Sequence, residues 1–206
     1  MDKVTRITAT ACPLPTTNID TEQILPARFL KLARNGAHAN ALFHDLRFDA
    51  AENELPDFPL NRPDWRQAKI VVAGENFGGG SSREAAVYAL YDYGIRCVIA
   101  PSFGDIFSQN AAKNGLLTAV VSEADCEALI AALNRVPTLQ ITVDLENETI
   151  VCGNLSIRFG IDPARRARLL NGWDDIDMTN SHRSKIDAFK AAHVQKHAWN
   201  VPGGGQ

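Results

Sequence analysis

The chain has 206 residues and an ordinary globular composition, with 45% hydrophobic and 22% charged residues. This length is enough for one substantial domain with a hydrophobic core and too short for two large ones. The formal net charge of −3 argues against a general nucleic-acid binder, which needs a basic surface to displace counterions. The sequence contains no bilayer-length apolar run and no signal-peptide segment at its N-terminus, so we expect a cytoplasmic protein without membrane contact.

The first part of the chain predicts little regular structure. A modest strand is predicted over residues 3–10, and the polar stretch 16–22 is predicted to be a loop. Pro26 suits the first turn of a short helix that ends near Gly36. Three prolines within residues 52–64 predict a surface loop before the first central strand.

The central stretch predicts a strand–loop–helix–strand unit. Residues 70–73 and 97–100 are short, apolar runs typical of buried strands. The helix between them is predicted to begin at Ser81, which forms a capping-box pattern with Glu84, and to end at Gly94. These lengths fit a βαβ unit.

The remainder alternates helices with strands and then continues as a hairpin. Helices are predicted over 103–113, 124–134, 162–172 and 181–199, and strands over 116–121, 139–145, 149–152 and 155–159. Mixed strand directions in a three-layer α/β core follow from this order. We predict a single domain over residues 1–206, with a C-terminal helix and a frayed tail from about residue 200.

The loop before the central helix predicts an anion site. Three consecutive glycines, 78–80, leave space for a ligand, a helix N-terminus supplies unpaired N–H groups, and Arg83 adds a planar fork that matches a carboxylate or phosphate. Nucleotide binding is disfavoured because the loop lacks the lysine of a Walker A motif and the third glycine of a Rossmann fingerprint. The alternative is a glycine-rich turn before a well-capped helix that bears an exposed arginine.

The metal-ligand residue types do not form a recognisable site in the sequence. Four cysteines lack paired spacing and indicate buried, reduced thiols: Cys12, Cys97, Cys126 and Cys152. Among the histidines, His193 and His197 have ligand-type spacing, but a solvated helix face is the preferred interpretation. We therefore expect this chain to bind no metal.

Residues 76–84 read NFGGGSSRE, and this segment resembles the signature of the small subunit of 3-isopropylmalate dehydratase, an aconitase-like isomerase family of leucine biosynthesis. The resemblance continues over most of the chain, at residues 18–21, 24–26, 29–31, 92–94, 99–103, 105–107, 113–117, 169–172, 174–176 and 185–186. It implies the three-layer swivelling β/β/α fold of the aconitase C-terminal domain.

The resemblance also implies a chemistry and a partner. Such a dehydratase removes water from one carbon of a small hydroxy-diacid and returns it to the neighbouring carbon. This reaction needs a base, a Lewis acid and groups that bind carboxylates. In the family, a separate large subunit carries a [4Fe–4S] cluster, and the active site lies between the subunits. By resemblance, Ser81 is the base, held as an alkoxide by helix-end N–H groups, Ser82 positions the substrate and Arg83 binds a carboxylate.

Two further segments carry site residues by the same resemblance. The family's Asp-Thr-Asp motif beside the active site corresponds here to Asp20, Thr21 and Glu22, with Glu in the last place. Residues 27–34 correspond to the segment that selects the substrate's side chain, where Phe29 and Leu30 would suit an isopropyl group. An ordinary short helix that packs its apolar face is the alternative for both segments.

The sequence departs from the family pattern at two positions near the signature. Gly79 stands where many relatives have Cys, and Ala85 stands where they have His. Since neither departure changes Ser81 or Arg83, we expect the reaction class to be retained. A subunit that acts on methylmalate, dimethylmalate or homoaconitate stays open, as does a non-catalytic anion-binding module.

Overall fold

The computed structural model describes residues 1–197 and 199, and these fall into two compact units, Met1–Gly172 and the described residues from Trp173 onward. The prediction of a single domain stays a prediction. The predicted frayed tail from about residue 200 lies outside the described residues. Among the described residues, no helix has the length and apolar character needed to span a membrane.

The larger unit contains a mixed sheet and seven helices within the described chain. Its strands are β1 (Arg6–Leu14), β2 (Ile70–Ala73), β3 (Cys97–Ala100), β4 (Leu117–Val120), β5 (Gln140–Asp144), β6 (Thr149–Cys152) and β7 (Leu155–Arg158). Its helices are α1 (Thr21–Ile24), α2 (His38–Ala41), α3 (His44–Arg47), α4 (Ala85–Tyr93), α5 (Asp105–Lys113), α6 (Glu123–Arg135) and α7 (Pro163–Asn171). The smaller unit contains α8 (Asp175–Asn180) and α9 (Arg183–Lys196).

The sheet has the strand order β4-β3-β2-β1-β5-β6-β7. Strands β1 to β4 pair in parallel, as βαβ crossovers require, whereas β5, β6 and β7 continue as an antiparallel meander. Val120, at the end of β4, exchanges two backbone hydrogen bonds of 3.0 and 2.7 Å with Gly160, just after β7. The sheet is therefore curled, and its two outer strands meet at one end.

Two hydrophobic clusters occupy the two faces of the sheet. Along β2, Val71 belongs to the cluster that includes α4 and α5, and Val72 belongs to the cluster that includes α6. Alternate residues of a strand point to opposite faces, so a strand buried on both faces is apolar throughout. The predicted three-layer α/β core with mixed strand directions is confirmed.

Strand β1 is longer than predicted and includes a proline. It pairs with β5 through Thr10 and with β2 from Ala11 onward, so Pro13 has a neighbouring strand on one side only. At that position the strand behaves as an edge strand, where the missing N–H of proline is tolerated. The strand predicted over residues 3–10 therefore ended too early, because β1 continues to Leu14.

The helix prediction for the N-terminal region was also wrong. Helix α1 begins inside the predicted loop 16–22 and continues to Ile24. Its N-terminus is a capping box between Asp20 and Gln23. Pro26 precedes a single 3₁₀ turn, Ala27–Phe29, instead of a longer helix. In the smaller unit, α9 corresponds to the helix predicted over 181–199 but is shorter. Helix α8, which was not predicted, precedes it.

We expect Gly78→Ala to destabilise the protein more than a matched glycine substitution. Gly78 has φ of +74°, and a Cβ there would lie 2.2 Å from Cγ of the buried Phe107 ring. Gly36 has φ of +89°, but no atom of the described residues lies within 4 Å of a Cβ added there. The left-handed conformation should cost each alanine variant about 1–2 kcal/mol, and the clash should cost Gly78→Ala about 1–3 kcal/mol more.

Urea denaturation of both variants measures this difference in the free energy of unfolding. Equal losses would show that the Phe107 ring moves aside at no cost, contrary to this prediction.

Candidate active site

The two predicted site segments lie side by side although they are far apart in sequence. Asp20 and Gly79 form a parallel β-bridge. The N–H of Gly78 donates to the carbonyl of Ile19 at 2.7 Å, and the N–H of Thr21 donates to the carbonyl of Gly79 at 3.1 Å. These backbone hydrogen bonds bring residues 20–22 against the loop that leads to Ser81.

Thr21 supports the backbone of this loop. Its side chain is buried, and its hydroxyl donates to the carbonyl oxygen of Ser81 at 3.3 Å. Gly80, with φ of +85°, precedes Ser81 in a conformation that favours glycine. The role of Thr21 in substrate binding stays a prediction, while its contact with Ser81 is a direct structural link between the two segments.

Ser81 and Ser82 are exposed, and neither hydroxyl has a hydrogen-bond partner among residues 1–197 and 199. The predicted capping box was wrong: α4 begins at Ala85, and Glu84 occupies the N-cap position without a side-chain cap. Pairing with residues 19–21 holds the backbone before Ser82 in a non-helical conformation. The Ser81 hydroxyl therefore does not accept a capping hydrogen bond from a backbone N–H group at the start of α4.

Arg83 and Glu22 form an ion pair beside these serines. Nη1 of Arg83 donates to Oε2 of Glu22, and the backbone N–H of Ala27 donates to Oε1 of the same carboxylate at 2.8 Å. The Ala27 hydrogen bond, and after it the Arg83 guanidinium, lower the pKa of Glu22 below its ordinary value. Glu22 thus connects Arg83 to the first residue of the segment 27–34.

The two apolar candidates within residues 27–34 have different surroundings. The ring of Phe29 is partly buried, with its centroid 4.8 Å from that of His44. Phe29, Leu32 and His44 help to line a cavity of about 330 Å³. Leu30 is 39% exposed. The role of Phe29 and Leu30 in contacting the substrate's alkyl group stays a prediction. Leu30 is the more accessible of the two.

Two asparagines that the sequence interpretation did not single out shape the glycine loop. Asn18 and Asn76 have left-handed φ of 56° and 55°, and Nδ2 of Asn76 lies 2.9 Å from Oδ1 of Asn18. A Cβ on Gly79 would lie 3.1 Å from Oδ1 of Asn76. Asparagine tolerates this conformation better than most residues. An asparagine next to a glycine-rich stretch was therefore the sequence feature that could have indicated a left-handed backbone here.

Within the described part of the chain, no three His, Cys, Asp or Glu side chains lie close enough to hold a metal ion. All four cysteines are buried, and burial raises the pKa of the Cys126 thiol to about 11. The rings of His193 on α9 and of His197, which follows the end of α9, have centroids 4.8 Å apart. Residues 1–197 and 199 thus contain no cradle for an iron–sulfur cluster. The expectation that this chain binds no metal stays a prediction.

We expect the pKa of Glu22 to rise, but not to its ordinary value, when Arg83 is replaced by Gln. Both donors stabilise the ionised carboxylate, so removal of the guanidinium makes protonation easier. The Ala27 N–H remains and is the larger influence on the pKa. NMR titration of the Glu22 side-chain carboxyl carbon measures both values, and an unchanged pKa in the variant would contradict the ion pair.

Comparison with known proteins covers nearly the whole chain. The family model described as the aconitase C-terminal domain matches residues 1–124, and a model described as LeuD_N matches residues 127–163. The 3-isopropylmalate dehydratase small subunit of Rhodospirillum centenum is 48% identical over 97% of this chain and 98% of its own length. That of Gluconobacter oxydans is 49% identical over 97% of this chain and 95% of its own length.

A solved structure agrees with these relatives. The crystal structure of 3-isopropylmalate dehydratase from Methanocaldococcus jannaschii has a TM-score of 0.63 and 26% identity, over 90% of this chain and 99% of that one. The predicted swivelling β/β/α fold of the aconitase C-terminal domain is confirmed by these matches. The chain belongs to the 3-isopropylmalate dehydratase small-subunit family of the aconitase superfamily.

Proposed function

We propose that the chain is the small subunit of a cytoplasmic 3-isopropylmalate dehydratase. With a large subunit, it isomerises 2-isopropylmalate and 3-isopropylmalate by dehydration and rehydration in leucine biosynthesis. Relatives that cover nearly the full chain are named as this subunit. The observation that carries the proposal is the Asp20–Gly79 pairing, which gathers Ser81, Arg83 and Glu22 on one exposed surface.

Arg83 binds one carboxylate of the hydroxy-diacid in this proposal. Its Nη1 already contacts Glu22, while its remaining N–H groups have no acceptor among the described residues. A guanidinium offers five donors in a planar fork, so a carboxylate can bind while the Glu22 contact is kept. Ser82 is exposed next to Arg83 and contributes a further hydrogen bond to the substrate.

Ser81 takes the proton from the substrate carbon. A serine hydroxyl is too weak an acid to act as a base without help, so its alkoxide must be stabilised by positive charge. Arg83 supplies part of this charge, and groups on the large subunit supply the rest. Because α4 begins only at Ala85, the helix dipole is a smaller contribution than the sequence pattern suggested.

The large subunit completes the site. The exposed hydroxyls of Ser81 and Ser82 suit a site that a second polypeptide covers. A [4Fe–4S] cluster on that subunit would supply the Lewis acid for the departing hydroxyl group. This chain contributes the proton acceptor and the carboxylate-binding groups, so neither subunit is expected to be active alone.

Residues 27–34 select the alkyl group of the substrate in this proposal. Leu30 is exposed, and Glu22 connects the start of the segment to Arg83. Turnover of methylmalate, dimethylmalate or homoaconitate by the same complex would identify a related hydro-lyase. Parallel assays of these diacids beside 2-isopropylmalate separate the two substrate assignments.

We expect Ser81→Ala to lower kcat by about a thousandfold or more, because it removes the proton acceptor. The measurement is product analysis on 2-isopropylmalate after anaerobic reconstitution with an iron-loaded large subunit. Ser156→Ala is the matched control, since Ser156 is an exposed serine on β7. The control should retain wild-type turnover.

Unchanged turnover in Ser81→Ala would contradict catalysis by Ser81 and favour a non-catalytic, anion-binding role. Turnover by the isolated small subunit would contradict the shared site.

A further inference from the structure

Contacts at both ends hold the segment 27–34 near Arg83. At its start, the Ala27 N–H and Arg83 bind the two oxygens of the same carboxylate, that of Glu22. At its end, Arg34 contacts Tyr88 on α4 and Asn114, and Asn114 in turn contacts Glu84, the residue that follows Arg83. The partners in the second attachment, Tyr88 and Asn114, have no role assigned by the family resemblance.

Arg34 makes two contacts with the body of the larger unit. Its Nη2 donates to Oδ1 of Asn114 at 2.7 Å, and its Cζ lies 3.9 Å from the centre of the Tyr88 ring. The amide of Asn114 then donates from Nδ2 to Oε1 of Glu84 at 2.8 Å. A chain of polar contacts thus runs from Arg34 to Glu84, the residue that follows Arg83.

The groups that receive Arg34 are themselves held in place. The Nδ2 group of Asn114 also donates to the carbonyl of Asn110 at 2.9 Å, at the end of α5. The Tyr88 ring has His38 on its edge, with ring centroids 5.9 Å apart, and His38 is buried. Nδ1 of His38 lies 3.6 Å from Oδ2 of Asp92 on α4. His38, which follows the segment in sequence, therefore packs against α4, the helix that also carries Tyr88.

We propose that Arg34 is a positioning residue that fixes the far end of residues 27–34 relative to Arg83, and thereby sets the selectivity for the alkyl group. This inference rests on the proposed function. Between the two attachments lie Leu30 and Leu32, which are 39% and 38% exposed. Loss of the Arg34 contacts leaves no attachment, within the described chain, between these side chains and His38 at the far end, so their position relative to the substrate carboxylate on Arg83 becomes variable.

The test compares Arg34→Gln, Arg34→Lys and Asn114→Ala with the wild type. Lysine keeps the charge but lacks the planar fork that stacks on tyrosine, so it should restore the function only in part. The control is Arg62→Gln, because Arg62 is also an exposed arginine stacked on an aromatic ring, with its Cζ 4.4 Å from the Trp65 centroid.

Two quantities are measured. Hydrogen exchange of the backbone amides of residues 28–34 in the free chain should be about tenfold faster in Arg34→Gln, and unchanged in the control. In the reconstituted complex, KM for 2-isopropylmalate should rise about tenfold with kcat changed less than about twofold, because the contact acts on substrate binding. The preference for 2-isopropylmalate over methylmalate should fall in parallel.

A double-mutant cycle isolates the Arg34–Asn114 contact. The loss in the double variant Arg34→Gln, Asn114→Ala should be smaller than the sum of the two single losses, because each single change already breaks the Arg34–Asn114 contact. Additive effects would overturn the proposed link through Asn114.

Unchanged exchange in Arg34→Gln would overturn the positioning role, as would faster exchange with an unchanged KM and an unchanged substrate preference. These failures are distinct from failure of the proposed function, which would appear as absence of isopropylmalate turnover by the wild-type complex. In that case the role in selectivity falls with the function, and the exchange data still report whether Arg34 orders the segment.

Discussion

The backbone pairing between Asp20 and Gly79 is the constraint on which the candidate site depends. It joins a loop that follows β1 to a loop that follows β2, two strands that are parallel neighbours in the sheet. The carboxyl ends of parallel strands lie at one edge, where loops from different parts of the chain converge. The curled sheet thus supplies the rigid support, and the pairing of the two loops orients Ser81 and Arg83 upon it.

Much of the larger unit follows from local sequence patterns. The βαβ unit was predictable because β2 and β3 are apolar on both faces, and α6 and α7 because Ser122, Asp162 and Gly172 are ordinary helix-end residues. Helix α1 was missed although Asp20 and Gln23 have the capping-box spacing, because the polar composition of residues 16–22 was given more weight. The end of β1 was missed because Pro13 is tolerated where the strand pairs with β2 alone.

The site was predictable in its composition but not in its connections. The signature at residues 76–84 identified Ser81 and Arg83, yet the backbone of Ser81 is bound by the hydroxyl of Thr21, from 60 residues away in sequence. The shared role of Glu22, between Arg83 and Ala27, likewise depends on a tertiary contact. Local periodicity carries no information about such pairs. The sequence therefore shows the spacing of a capping box at Ser81 and Glu84, but the structure does not form one.

The hydrogen bonds between Val120 and Gly160 have a consequence for the subunit before it meets a partner. An open sheet presents unpaired N–H and C=O groups along its outer strands, and such edges recruit strands from other molecules. Here the outer strands meet, so part of each edge is occupied by the chain itself. Assembly with a second polypeptide can then proceed through side chains and loops, without a need for that polypeptide to extend the sheet.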